Sequence, residues 1–125
     1  MRGSKQDIPV ALESPEATIR QVEWGGISVE IGEIKGNLDV SGLFKGLPND
    51  ECQCPHWGYV LKGRLRYRSG DREEVFTAGD AYYVGPGHIP IFEAGLEYVE
   101  FSSAAELQRT MEVIEQNMAA LQSAD

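Results

Sequence analysis

The feature that most constrains this chain is its punctuation. Between residues 17 and 101, short runs rich in β-branched and aromatic side chains are cut at close intervals by glycine, proline and aspartate: ATIRQVEW, ISVEIGEI, LDVSGLF, HWGYVLKG, RLRYRS, REEVFTA, DAYYVG, IPIFEA and LEYVEFS. Gly25-Gly26, Gly36-Asn37, Gly63 and Gly95 fall at the breaks, where turns need them. RLRYRSGDREEVF reads as a hairpin, with Arg64, Arg66 and Arg68 alternating with Leu65 and Tyr67 and SGD supplying the turn. Many short strands at this spacing predict an all-β, antiparallel sandwich or barrel.

The ends differ from this middle. Residues 1–16 read as a loosely held polar lead-in containing Pro9 and Pro15. Residues 102–125 read as one helix. Ser103 stands three residues before Glu106, as in a capping box, and Leu107, Met111, Ile114, Met118 and Leu121 recur at spacings of four, three, four and three. That stripe predicts an amphipathic helix lying as a lid on a barrel mouth or on a neighbouring subunit. The stripe and the β-rich N-terminal segment offer apolar surface that a chain of 125 residues cannot cover alone, so a homodimer is expected.

Composition narrows the partners. A chain of 125 residues with 42% hydrophobic and 25% charged side chains makes one ordinary globular domain. Its formal charge of −9 repels phosphate backbones and anionic headgroups, so neither nucleic acid nor membrane is an expected partner, and a small-molecule ligand is. No stretch approaches the ~18 apolar residues of a membrane span, and no signal-peptide core opens the chain; the expected compartment is the cytoplasm.

Both cysteines and one of the two histidines fall in CQCPHWGYVLKG, residues 52–63. If this stretch is extended, Cys52, Cys54 and His56 point the same way. A disulfide between positions two apart on a strand is disfavoured, because the residues are separated by roughly 6.6 Å along it and bridged Cβ atoms must approach to about 3.5–4.5 Å. Two thiols and two imidazoles, with His88 as the fourth, make a plausible tetrahedral zinc set, or an open site for iron or copper if one ligand is absent. The competing readings are cysteines packed as small hydrophobes, with Pro55 turning one away, and a redox pair. Trp57, Tyr59, Tyr82, Tyr83 and Phe92 are candidates to line an aromatic ligand pocket, with core or interface as the alternative. Arg64, Arg66 and Arg68 read as the solvated side of a hairpin. Glu93, Glu97 and Glu100 read as a solvated face, with a general base as the alternative.

Two stretches together carry a resemblance. WGYVLKGRLRY supplies Tyr59, Val60, Leu61 and Gly63, and GDAYYVGPGHIPIFEAG supplies Gly79, Asp80, Pro86 and Gly87. Over residues 17–101 the chain resembles the cupin superfamily, in particular its small, single-domain, RmlC-like members. The resemblance implies a jelly-roll β-barrel over 17–101, between the lead-in and the C-terminal helix. It also implies an inward-facing ligand set, but the family's usual residues do not transfer. The position of its glutamate holds His56, its paired histidines fall on Asp50 and Cys52 or on Asn49 and Glu51, and its last histidine falls on Pro90, two residues after His88. What remains is Cys52, Cys54, His56 and His88 as metal candidates for Zn, Fe or Cu, and Trp57, Tyr59, Tyr82 and Phe92 as a ligand pocket. Three functions stay open: a metal-binding enzyme of oxygenase, isomerase or cyclase type acting on a small organic molecule; a ligand-binding or sensing barrel without metal or chemistry; and a thiol-based oxidant sensor.

Overall fold

The structure, a computed structural model, describes residues 1–122; residues 123–125, the end of the expected helical segment, lie outside the described residues. Among the described residues nine strands precede one long helix: β1 (Val10–Glu13), β2 (Ala17–Trp24), β3 (Ile27–Ile34), β4 (His56–Lys62), β5 (Arg64–Ser69), β6 (Arg72–Thr77), β7 (Ala81–Val84), β8 (Ile89–Ile91), β9 (Glu97–Ser103) and α1 (Ala104–Gln122). Two short 3₁₀ turns, Ser41–Phe44 and Pro48–Asp50, lie between β3 and β4. The strands form a six-stranded sheet in the order β1-β2-β3-β9-β4-β7 and a three-stranded sheet in the order β6-β5-β8. Every strand pairing is antiparallel.

The two sheets face each other across one core. Val60, Tyr82, Val84 and Tyr98 come from the larger sheet, Leu65 and Tyr67 from the smaller, and all are buried with Ala17, Ile34 and Leu96. The chain passes from one sheet to the other between β4 and β5 at Gly63, which has a φ of 71°. A Cβ there would meet the Gly95 carbonyl oxygen at 2.7 Å, so both the backbone conformation and the space require glycine. This explains on physical grounds why the glycine of YVLKG belongs to the pattern.

A second apolar cluster closes one mouth of the barrel. It contains Val40, Phe44, Cys52, Cys54 and Ile89, with Leu107 and Ile114 of α1 packed against it. The helix stripe therefore serves the chain's own barrel as a lid. Asn117 fastens it, its Nδ2 donating to the carbonyls of Leu43 (2.7 Å) and Lys45 (2.9 Å). At its start the Glu106 N–H donates to Ser103 Oγ at 3.4 Å, the first half of the expected capping box.

Two segments differ from the sequence reading. LDVSGLF is an isolated bridge, Leu38 to Phe92, followed by a 3₁₀ turn rather than a strand, because Asp39 Oδ1 accepts from both the N–H (2.9 Å) and the Oγ (2.7 Å) of Ser41 and so curls the chain locally. The lead-in is not loose. It contains β1, whose Val10 pairs with Arg20. Ahead of it Ile8 is buried, its carbonyl accepting from Arg20 Nη1 at 2.6 Å.

Candidate metal centre

The site is built on the inner face of the six-stranded sheet. Side chains alternate along a strand, so His56, Gly58 and Val60 of β4 point into the barrel, while Trp57, Tyr59 and Leu61 point out. On β9 the inward residues are Tyr98, Glu100 and Ser102, and on β3 they include Ser28 and Glu30; all but Glu30, which is half-buried, are fully buried. Register carries these residues across the sheet in rows: Ser28 opposite Ser102, Glu30 opposite Glu100 and Gly32 opposite Tyr98, with Gly58 opposite both Glu100 and Tyr82. The barrel interior is therefore polar in its upper rows and apolar below.

At the upper row Cys52, His56 and His88 converge, each offering one ligand atom within 4.8 Å of the others, and all three are buried. Cys52 and His88 are held by backbone. Cys52 N–H donates to the His88 carbonyl at 2.8 Å, and His88 N–H returns to the Cys52 carbonyl at 3.1 Å. His56 is placed by β4, its Nδ1 standing 2.6 Å from Ser102 Oγ and its Nε2 3.9 Å from Cys52 Sγ. The two imidazoles meet edge to face with centroids 4.8 Å apart. His88 Nδ1 lies 2.6 Å from the Gly85 carbonyl oxygen, which accepts only, so Nδ1 carries the proton and Nε2 the lone pair. That Nε2 is buried with no hydrogen-bond partner among the described residues. An orphaned imidazole lone pair, with its tautomer fixed from behind by a carbonyl, has the arrangement of a metal ligand held by its outer partner. Thr110 of α1 closes the cluster, its Oγ1 3.7 Å from Cys52 Sγ.

Burial sets the protonation states. It pushes both histidines down to about 4, with the neighbouring His56 adding to the effect at His88, so both rings are neutral at pH 7. The 3.8 Å approach of His56 Nδ1 to Glu100 Oε2 is therefore not an ion pair. Burial raises the Cys52 thiol and pushes Cys54 up to about 12. Without a metal the cluster is a neutral thiol beside two neutral imidazoles. The arrangement fits a borderline-soft divalent cation, whose binding must expel the Cys52 proton.

Directly beneath lies a second polar layer. Glu100 Oε1 accepts from Tyr67 Oη at 2.6 Å and from Tyr82 Oη at 2.7 Å, and Glu30 Oε2 accepts from Tyr98 Oη at 2.6 Å. Two inward glycines make room for these rings. A Cβ on Gly58 would stand 2.4 Å from Tyr82 Cζ, and one on Gly32 would stand 2.3 Å from Tyr98 Cε1. Burial raises both carboxyls, to about 7, with the Glu100 charge adding to the rise at Glu30; the three tyrosines are raised as well, chiefly by burial.

The structure sorts the residues singled out in the sequence. Cys52, His56 and His88 come together, whereas Cys54 lies outside that group: Pro55 and the irregular backbone ahead of β4 break the alternation, and its Sγ points to the Pro55 carbonyl at 3.6 Å. Both cysteines are free thiols. Of the proposed pocket residues, Tyr82 faces the interior and Phe92 stacks on Tyr98 with centroids 6.1 Å apart, but Trp57 and Tyr59 are exposed on the outer face and line no interior pocket. Their parity, opposite to that of inward His56, requires this. Arg64 and Arg66 do lie on the exposed hairpin face, paired with Glu93, and Glu97 pairs with Lys5 and Lys62. Glu100 overturns the solvated-face reading: it sits at the centre of the barrel. Glu30, Ser102 and Thr110 were missed. For Ser102 the signal was present, since Tyr98, Glu100 and Ser102 share one parity in EYVEFSS.

With this geometry in view, the comparisons with known proteins agree on the fold. No protein-family model and no curated protein matches the sequence. Among solved structures, the chain is similar to an RmlC-like cupin from Shewanella frigidimarina at 14% identity, covering 82% of this chain and 88% of that one, with a TM-score of 0.56. It is similar to KdgF from Halomonas sp. at 13% identity, covering 80% and 92%, with a TM-score of 0.54, and to the EutQ protein of Clostridium difficile at 11% identity, covering 83% and 74%, with a TM-score of 0.53. The chain has the fold of the cupin superfamily: a jelly-roll barrel with a C-terminal helix. It carries a buried Cys-His-His group that could hold a metal ion. No helix among the described residues is long and apolar enough to cross a membrane.

Proposed function

We propose that the chain is a metal-binding cupin-fold protein acting on a small organic molecule, with Cys52, His56 and His88 as the protein ligands. The observation that supports this most is the buried, unpartnered His88 Nε2, in a group with Cys52 and His56 whose ligand atoms lie within 4.8 Å of one another. Three donors of N, N and S type suit zinc, iron or copper and leave a coordination position for substrate or water. The bound cation supplies Lewis acidity, polarising a substrate oxygen. The chain's own residues do the rest. Gly85 and Ser102 orient the two rings from behind, and Thr110 with Leu107 and Ile114 screens the cluster from water on the helix side. Glu100, held by two tyrosine hydroxyls and 3.8 Å from His56, is the group placed to take or return a proton. Isomerase- and cyclase-type reactions can use a polarised oxygen with a nearby carboxyl, whereas an oxygenase-type reaction would need iron or copper on the same ligands.

A second reading is a barrel that captures a small ligand without chemistry. It is favoured by a cleft of about 240 Å³ between α1 and the sheet, lined by Gln21, Ser28, Leu107, Gln108 and Met111, which opens beside the polar rows. Titration of Zn²⁺, Fe²⁺ and Cu²⁺ into protein purified without a metal-affinity step separates the two. The first reading expects one ion per chain at micromolar or tighter affinity, Cys52 protected from alkylation, and both effects lost in His88→Ala. Wild type that binds none of the three with both thiols equally reactive leaves the second reading standing.

A further inference from the structure

The helix α1 meets the barrel at one polar point. Its apolar stripe would put Leu107, Met111, Ile114 and Met118 deepest, yet all four keep partial exposure. Among the described residues of α1 the fully buried one is Thr110, at 3% exposure. Thr110 shares a face with Leu107 and Ile114, which pack on the apolar cluster at the mouth, and with Asn117, which fastens that face to the Leu43 and Lys45 carbonyls. A hydroxyl at the deepest position of a packed helix costs free energy unless it is hydrogen-bonded, and valine would fill the same space without that cost. Among the described residues the polar contact of Thr110 Oγ1 is Cys52 Sγ, at 3.7 Å. We propose that Thr110 is a positioning residue of the metal centre, its hydroxyl donating to the Cys52 sulfur once that sulfur is a metal-bound thiolate, a role that rests on the metal-binding reading of Cys52, His56 and His88.

The donors and acceptors around the sulfur select this role. Cys52 Sγ has three polar neighbours: the Cys54 carbonyl oxygen at 3.9 Å, His56 Nε2 at 3.9 Å and Thr110 Oγ1 at 3.7 Å. While the thiol keeps its proton, it can donate to the Cys54 carbonyl. On binding an ion, Cys52 gives that proton to solvent as the metal–sulfur bond forms, and it has nothing left to donate. The carbonyl can only accept, and the His56 Nε2 lone pair is committed to the ion. That leaves the Thr110 hydroxyl, which rotates freely between accepting and donating. Burial raises the Cys52 thiol, and the contacts with Cys54 and Thr110 oppose the rise. A donor to the sulfur draws charge from it and holds it in place, as the outer partners of a metal ligand do. Because this donor sits on α1, ion binding and helix docking are linked: what Thr110 adds to one it adds to the other.

The test is titration of Co²⁺, whose thiolate charge-transfer absorption reports on the sulfur, into the full chain and into Thr110→Val and Thr110→Ser. Thr110→Val keeps the shape and loses the hydroxyl. It should bind about tenfold more weakly, with the charge-transfer band at lower energy, because a sulfur without its donor holds its electrons less tightly. Thr110→Ser should restore both. Co²⁺ should also slow backbone hydrogen exchange in α1 more in the wild type than in Thr110→Val. Should Thr110→Val fail to fold, Thr110→Ala set against Thr110→Ser carries the same comparison. Equal affinity and band energy in wild type and Thr110→Val overturn the proposal and leave the metal-binding reading standing. A loss of affinity with an unmoved band, or one that Thr110→Ser does not rescue, overturns it too, since packing and not the hydroxyl then carries the effect. Wild type that binds no Co²⁺ overturns both.

Discussion

The two faces of one sheet invert the usual rule. Its inner face carries Ser28, Glu30, Glu100, Ser102 and His56, nearly all out of reach of water, while its outer face shows Trp57, Tyr59, Tyr83 and Phe101 to solvent. A polar interior is tolerated here because each carboxyl has hydroxyl donors and the His56 ring has Ser102. Among the described residues two buried side-chain atoms have no partner, Arg20 Nε and His88 Nε2, and the second marks the site. Inner polarity thus gathers the groups that could hold a ligand, while the apolar side chains of the outer face stand in solvent. The strand period of two keeps these roles apart on adjacent residues of β4.

Substitutions should expose this difference in a graded way. The largest loss is expected from Gly58→Ala on the inner face, since the new Cβ would stand 2.4 Å from Tyr82 Cζ and 2.5 Å from the Val99 carbonyl, which cannot swing away. A cost of about 3 kcal/mol in denaturant unfolding is expected, at the upper end for overpacking. An intermediate effect is expected in the pH dependence of the metal-free protein. Glu30 and Glu100 are raised from 4.5 to about 7, so their stabilisation is complete below pH 4.5 and is lost as pH rises through 7. The histidines are lowered from 6.5 to about 4, so theirs is complete above pH 6.5 and is lost as pH falls through 4. The two dependences oppose each other, and wild-type stability should be nearly flat between pH 4.5 and 6.5. Glu100→Gln should leave a net fall toward acid and His88→Asn a net fall toward alkali, each on the order of 2–3 kcal/mol across the window. Parallel curves for wild type and both variants in urea titrations would break the comparison. A smaller loss, about 1–2 kcal/mol, is expected for Tyr82→Phe, which removes one of two hydroxyl donors to Glu100. The smallest belongs to the outer face: Tyr59→Ser should cost below about 1 kcal/mol.

The strand pattern was legible because glycine, proline and aspartate act locally. ATIRQVEW and ISVEIGEI coincide with β2 and β3 residue for residue. Parity was also legible, and once His56 is taken as inward it places Trp57 and Tyr59 outside. The fate of Glu100 was not, because its acidity suggests solvent while its burial depends on Tyr67 and Tyr82, which come from strands distant in sequence. The same holds for Glu30 and Tyr98, and for Thr110, whose contact with Cys52 exists only once α1 folds back over the mouth. Equally hidden was the choice between the two cysteines. Alternation through CQCPH makes them equivalent, and the backbone pairing of Cys52 with His88, which lies beyond four intervening strands, separates them.

We propose that Cys52, His56 and His88 give one thiolate and two imidazoles to a single ion. X-ray absorption fine structure of zinc-loaded protein reads that ligand set directly. One sulfur scatterer and two imidazoles per zinc are predicted, the sulfur contribution vanishing in Cys52→Ala and remaining in Cys54→Ala. Two sulfurs, or a shell of light atoms only in the wild type, would contradict the account.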